Sequence, residues 1–390
     1  MPPLDRRHFL GTAALSLAGG VTLQATPNRS SPEPALPSSE WHHPQRDPGN
    51  TASTTDPGPQ LEGEICWETT VRSGSSENFA GFARLGDALL VSADRKLIAL
   101  DTDTGDRLWD ITASERMHGL ESSPRVRDTT VFLAFGGIYV YAISLETRRP
   151  RWRYRTNGSI HAMTLAGNTL CFNSYVDGAH RTIALDTETG SERWRSPGDW
   201  YETAVSDNLV VTKRRQTDDF ELVAIDLERG TEEWTRQFDD VPLPSGTGLV
   251  GLEDAIVVTG PHGGAVLEPA TGDVRTTLEG VSGWSLAVDP DTERVYTVDS
   301  PNGVVHCVDL DGSSRWSVEA DLESGITVGG DTVYVATPDG LLAVDALDGD
   351  RRFAVSSVRR SNNWTTTTPL VDAESVYHRI GDTVYGVCRP

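Results

Sequence analysis

Ile98-Ala-Leu-Asp-Thr-Asp-Thr-Gly-Asp-Arg-Leu-Trp109 is the stretch on which the fold turns. It recurs as Ile183-Ala-Leu-Asp-Thr-Glu-Thr-Gly-Ser-Glu-Arg-Trp194 and as Val223-Ala-Ile-Asp-Leu-Glu-Arg-Gly-Thr-Glu-Glu-Trp234. Weaker copies run from Tyr141 to Trp152, Val266 to Thr276, His306 to Trp316 and Leu342 to Phe353. The ring position of the repeat therefore falls at Trp67, Trp109, Trp152, Trp194, Trp234, Thr276, Trp316 and Phe353. The mean interval is about 41 residues, a period that belongs to repeat architectures. Upstream of each aspartate lies a second apolar run, such as Ala88-Leu-Leu-Val91, Ile256-Val-Val-Thr259 or Val333-Tyr-Val-Ala336. Short β-branched runs with turn residues between them, and no long stretch of 3.6-residue periodicity, read as four strands per unit. Such a unit is a propeller blade.

Each repeat position has a physical role. Gly105, Gly190, Gly230, Gly272 and Gly349 end a tight turn that needs positive φ, which glycine adopts without steric cost. The aspartates Asp101, Asp186, Asp226, Asp309 and Asp345 can accept hydrogen bonds from the turn amides. Two residues before the aspartate is a small side chain in most copies (Ala99, Ala142, Ala184, Ala224, Ala343), leaving room for the ring. Each ring can bury about 150–250 Å², so truncating one to alanine should cost about 3–5 kcal/mol.

The repeats count to eight. Ser375 to Cys388 supplies two strands and then the chain stops, whereas Glu64-Ile-Cys-Trp-Glu-Thr-Thr-Val71 is an outer strand with no blade before it. Together they complete one blade, which closes the ring and removes a sheet edge. The expected architecture is an all-β, eight-bladed propeller over residues 61–390. Aligned on the Asp101–Trp109 hairpin, Cys388 faces Glu64 and Cys66 faces Gly386. That places the two cysteines diagonally, roughly 7 Å apart, at the limit for a disulfide. A Cys66–Cys388 disulfide and two separate buried thiols both remain open; Cys171 and Cys307 fall in different blades and read as core.

Composition bounds the partners. Of 390 residues, 57 are acidic and 34 basic, giving a net charge of −23. This balance argues against nucleic acid, whose phosphates need the opposite sign. Lysine occurs only at Lys96 and Lys213; acidic chains so poor in lysine resemble proteins of salt-accumulating halophiles, in which dense salt screens self-repulsion.

Residues 1–25 contain Arg6-Arg7-His-Phe-Leu10 and a short apolar core, and they resemble a twin-arginine export signal. Exported protein, extracellular or held at the cell surface if the signal is uncleaved, is the implied location. Residues 26–60 are rich in Pro, Ser, Thr and Gly and read as a solvated linker. Inside it, Trp41-His42-His43 to Thr51 forms an island whose tryptophan is expected to dock on the folded body. The two histidines lack further ligands at metal-site spacing.

The combination of Ala-x-Asp, Thr-Gly and Trp resembles the repeat of the PQQ-like, or quinoprotein-type, β-propeller family over residues 65 to 390. The resemblance implies that the tryptophans form a docking girdle between blades. It implies two functional classes. The longer quinoprotein dehydrogenases carry PQQ and calcium, with a vicinal cysteine pair that stacks on the cofactor. The shorter cofactor-free members, including the propeller lipoprotein of bacterial outer-membrane assembly, act as binding scaffolds. This chain has no Cys-Cys pair and no added insertion, so it reads as a monomeric, cofactor-free scaffold that binds a protein or an anionic or peptide ligand. A PQQ-dependent dehydrogenase is the alternative.

Catalytic motifs are sparse. Gly246-Thr-Gly-Leu-Val-Gly251 matches G-x-G-x-x-G but precedes a strand instead of a helix, so the nucleotide reading is set aside. The loops joining blade to blade, and those between each blade's second and third strands, share one face. That face collects Arg116, His118, Arg153, Arg155, Trp200, Tyr201, Lys213, Arg214, Arg215, Trp284, Arg359, Arg360 and Trp364. Local positive potential there can steer an anionic ligand, and aromatics anchor interfaces. Asn28, Asn157 and Asn363 head N-glycosylation sequons. Because Thr276 and Phe353 replace tryptophan, amide hydrogen exchange should find their seams least protected; uniform protection around the ring would contradict this.

Overall fold

In the computed structural model, the described residues are 41–71, 79–93, 96–112, 122–135, 137–199, 203–216, 219–238, 248–260, 263–283, 285–299, 301–322, 325–357 and 367–390. They form eight antiparallel sheets of four strands in meander order, one of them extended by a fifth strand. Blade 1 comprises Phe79–Leu85, Ala88–Ala93, Lys96–Asp101 and Arg107–Thr112; blade 2 comprises Arg125–Arg127, Thr130–Phe135, Tyr139–Ser144 and Arg149–Arg155. Blades 3 to 7 follow in the same pattern, beginning at Ile160, Thr203, Gly248, Ser285 and Ile326. Blade 8 is shared: Leu370–Val371, Ser375–Ile380 and Thr383–Cys388 from the C-terminus, with Glu64–Thr70 as the outer strand.

The seams hold the ring. Six apolar clusters each straddle two neighbouring blades, and the largest joins blades 7, 8 and 1 across the closure. Within each hairpin the ring residue lies opposite the small one: Trp109 opposite Ala99, Trp152 opposite Ala142, Trp194 opposite Ala184 and Trp234 opposite Ala224. A β-bulge in the outer strand precedes each ring position and re-aims the ring across the seam. There it covers the turn glycine of the next blade. A Cβ at Gly190, Gly230, Gly272 or Gly349 would collide with Trp152, Trp194, Trp234 or Trp316 respectively. These glycines have φ of 69–79° as well, so the position is fixed twice, by backbone conformation and by contact. The indole N–H completes the lock by donating to a carbonyl of the next blade. Trp67 reaches Thr102 (2.9 Å), Trp152 Thr187 (2.8 Å), Trp194 Leu227 (2.9 Å) and Trp234 Pro269 (2.6 Å).

At the closing blade, Glu64 faces Cys388 as expected, but Trp67 and not Cys66 faces Gly386. The bulge between Ile65 and Trp67 makes Cys66 the extra residue and brings its Cα to 6.0 Å from that of Cys388, inside disulfide range. The two are joined as a disulfide, whereas Cys171 and Cys307 are buried thiols.

The solvated-linker reading does not describe residues 41–60, because this stretch runs as a belt around the inner strands. Trp41 exchanges two main-chain hydrogen bonds with Arg84 of blade 1, and His42 accepts from Val126 of blade 2. Pro48 accepts from Val205 of blade 4, Gly49 from Gly251 of blade 5, and Thr51 from Val288 of blade 6. Ser53–Thr54 adds a parallel fifth strand to blade 7, and Gly58 donates to Asp372 in blade 8. Blade 3 is met through side chains, with Thr164 donating to Pro48. The first strand of each blade has no fifth neighbour of its own, so the belt satisfies amides that would otherwise be unpaired near the axis. Trp41 is 1% exposed and packs into the cluster that closes the ring, as the island was expected to do. Residues 1–40 lie outside the described residues.

Gly49 sits so close to the main chains of Gly251 and Val205 that a Cβ would strike their carbonyls. Gly49→Ala should therefore lift the belt locally. The amides of Val205 and Gly251 should then exchange about tenfold faster or more, each having lost a hydrogen bond. Hydrogen-exchange mass spectrometry with unchanged rates at both would refute the belt's role.

Candidate functional site

Most of the expected basic and aromatic face (Arg116, His118, Trp200, Tyr201, Trp284, Arg359, Arg360 and Trp364) lies outside the described residues, and only the backbone of Arg215 is described. The remainder separates into two environments. In blade 4, Arg214 is paired with Glu221 (2.5 Å) and Glu232 (2.7 Å), so its charge is neutralised within the blade. Neighbouring Lys213 is buried at 2% exposure. The burial follows from position: both residues sit in the second strand of the blade, where neighbouring blades cover the sheet.

Arg153 and Arg155 are different. They occupy the outer strand of blade 2, in register with Tyr141 and Tyr139 of the third strand and on the same face of the sheet. The Arg153 guanidinium lies 4.9 Å from the centroid of Tyr139 and 6.0 Å from that of Tyr141, and Arg155 lies 5.9 Å from Tyr139. Arg148, in the preceding turn, lies 5.4 Å from the Trp109 ring of blade 1. These distances are those of cation–π contact. The opposite face of the same strand carries Trp152 and Tyr154 against blade 3, with the Tyr154 hydroxyl donating to Glu192 (2.7 Å). Burial and that carboxylate push the tyrosine up to about 12. The sequence face thus contributes two arginines to a real cluster. It missed Arg148, Trp109, Tyr139 and Tyr141, whose signal was the alternating Arg149-Pro-Arg-Trp-Arg-Tyr-Arg155 pattern opposite a tyrosine-rich strand.

The belt end of the ring is acidic. An open cleft of about 780 Å³ is bordered by Asp47, Thr51, Asp207, Glu253 and Asp254. Burial raises the Asp47 carboxyl even though it accepts hydrogen bonds from Thr51. On the belt, burial and then the nearby Arg125 guanidinium keep the His43 ring neutral. Among the described residues no group of three His, Cys, Asp or Glu side chains is placed to hold a metal ion, and no helix is long and apolar enough to cross a membrane.

The fold and its repeated seam define a PQQ-like β-propeller. The family described as outer membrane protein assembly factor BamB matches residues 59–172, 158–283 and 301–388, so the chain belongs to that PQQ-like family. Among solved structures, quinohemoprotein alcohol dehydrogenase from Comamonas testosteroni is similar with a TM-score of 0.69 and 14% identity. The match covers 90% of this chain and 80% of that one. BamB from Moraxella catarrhalis aligns with a TM-score of 0.61 at 14% identity, covering 83% of this chain and 100% of that one. A europium-containing methanol dehydrogenase matches with a TM-score of 0.69 and 14% identity, over 90% of this chain and 91% of that one. No curated protein matches the chain.

Near the closure, His378 is 1% exposed between blades 7 and 8, and burial holds it down at about 4, the Gly340 carbonyl offsetting only part of the effect. A histidine depressed in the fold is neutral there, while the unfolded chain takes up its proton near pH 6.5. Stability is therefore full above about pH 6.5 and is lost as pH falls toward 4. Between pH 7.5 and 4.5, His378→Phe should lose about 2–3 kcal/mol less stability than the parent protein. Urea midpoints at the two pH values measure this, and equal losses would refute it.

Proposed function

We propose that this chain is an exported, monomeric scaffold that binds a protein partner without catalysing a reaction. The observation that carries the reading is the cation–aromatic cluster of Arg148, Arg153 and Arg155 over Trp109, Tyr139 and Tyr141, on the outside of a body with a net charge of −23. Arginine and large aromatics are the side chains that most often dominate protein interfaces. Membership of a family described by an assembly factor supports the same reading. The belt supports it as well, because first-strand amides of blades 1, 2, 4, 5, 6 and 7 donate to carbonyls of the chain's own belt, which leaves them no backbone donors for a ligand. Export rests on the twin-arginine-like Arg6-Arg7 segment, and a salt-rich setting on the scarcity of lysine.

A PQQ-dependent dehydrogenase is the second reading, favoured by the similarity of fold to quinohemoprotein and methanol dehydrogenases. The donor chemistry of this chain fits that group poorly. The sequence has no adjacent cysteines, Asp47 is engaged by Thr51, and Asp372 by Tyr377 and Arg84. PQQ and calcium added to the purified protein should give no quinone absorbance change and no dye reduction, while cross-linking in the producing cell should capture a partner. Turnover with dye would overturn the scaffold reading.

A further inference from the structure

Between blades 7 and 8 the seam lacks the indole hydrogen bond, because the ring there is Phe353, which lies against Gly63 and has no N–H to donate. The same seam buries two polar side chains of blade 8. His378 and Tyr385 stand opposite each other in register on its second and third strands, at 1% and 2% exposure. Neither ring nitrogen of His378 nor the Tyr385 hydroxyl makes a hydrogen bond of normal geometry among the described residues. The Gly340 carbonyl of blade 7 lies near the imidazole without meeting that geometry. The other buried tyrosines all use their hydroxyls: Tyr296 donates to Ala346, Tyr334 to Pro57 and Pro59, and Tyr377 to Asp372. A polar group buried dry costs the fold far more than a satisfied one, and native structures hold few of them.

Both side chains line one small cavity together with Gly340. Its other walls are mostly aliphatic, from Ile65, Leu341, Val355, Ile380 and Val387. The volume is about 10 Å³, the room of a single water-sized sphere, which excludes any larger ligand. A water there meets the imidazole, the hydroxyl and the carbonyl, and buried waters use roughly two to four such partners.

We propose that one ordered water occupies this cavity and joins blade 7 to blade 8, accepting from the Tyr385 hydroxyl and donating to the acceptor nitrogen of His378 and to the Gly340 carbonyl. A neutral imidazole offers one acceptor nitrogen, a hydroxyl one proton and a carbonyl two lone pairs, so each of these bonds has its proton. The bridge supplies at the Phe353 seam the directional link that an indole supplies where Trp152, Trp194 and Trp234 cross to the next blade. It is a property of the closed ring and holds whatever the propeller binds.

A high-resolution crystal structure of the full chain should show one water about 2.7–3.1 Å from all three polar atoms. Urea unfolding at about pH 7.5, where His378 is neutral in the folded and the unfolded chain alike, reads what the bridge contributes. The changes in folding equilibrium caused by Y385F and H378F should fail to multiply in Y385F/H378F, by about tenfold in favour of the double variant. Once one polar group has gone, the water and the second leave together at little further cost. A crystal structure with His378 bonded directly to Tyr385 and no water between them would overturn the proposal. So would changes that simply multiply in the double variant.

Discussion

A tryptophan ring laid over the next blade's turn glycine is the contact on which this molecule depends. It combines burial of a large apolar surface with one directional hydrogen bond, from the indole N–H to a carbonyl across the seam. A single blade cannot provide this lock, because ring and glycine belong to different sheets. Stability is thus a property of neighbours, and the last blade must find the first. The pairing of Glu64–Thr70 with Thr383–Cys388, tied by the Cys66–Cys388 disulfide, meets that demand with the two ends of the propeller.

The belt solves a second problem of circular sheets. Where eight first strands converge, each has main-chain groups facing the axis and no sheet of its own to pair them. A segment of some twenty residues, poor in periodicity and rich in Pro and Gly, meets seven blades by main-chain hydrogen bonds and the eighth by side chains. Its irregular sequence follows from the geometry. A regular strand could not turn through the whole circle, whereas Pro48, Gly49 and the positive φ of Arg46 and Asn50 allow it to.

Electrostatics at the surface then has a simple logic. On the outer strands of blades 3 to 7, Arg193, Arg195, Arg236, Arg275, Arg315 and Arg352 pair with carboxylates of their own or the next blade, in keeping with the acidic excess. At the blade 1–blade 2 seam Arg148, Arg153 and Arg155 also lie against the rings of Trp109, Tyr139 and Tyr141.

Repeat period, blade count, the small-residue slot opposite each ring, and closure by the two ends were all legible in the chain, because each is set by local sequence recurring at a fixed spacing. The belt was not. Residues 41–60 have the composition of a linker, and only the closed ring supplies the unpaired amides that give their carbonyls partners. Nor could sequence place Cys66 opposite the right neighbour, since a one-residue bulge shifts the register by an amount that only packing of Trp67 decides. The same holds for charge: Arg214 and Arg155 look alike in sequence, and only tertiary contacts put carboxylates beside the first and a tyrosine ring beside the second.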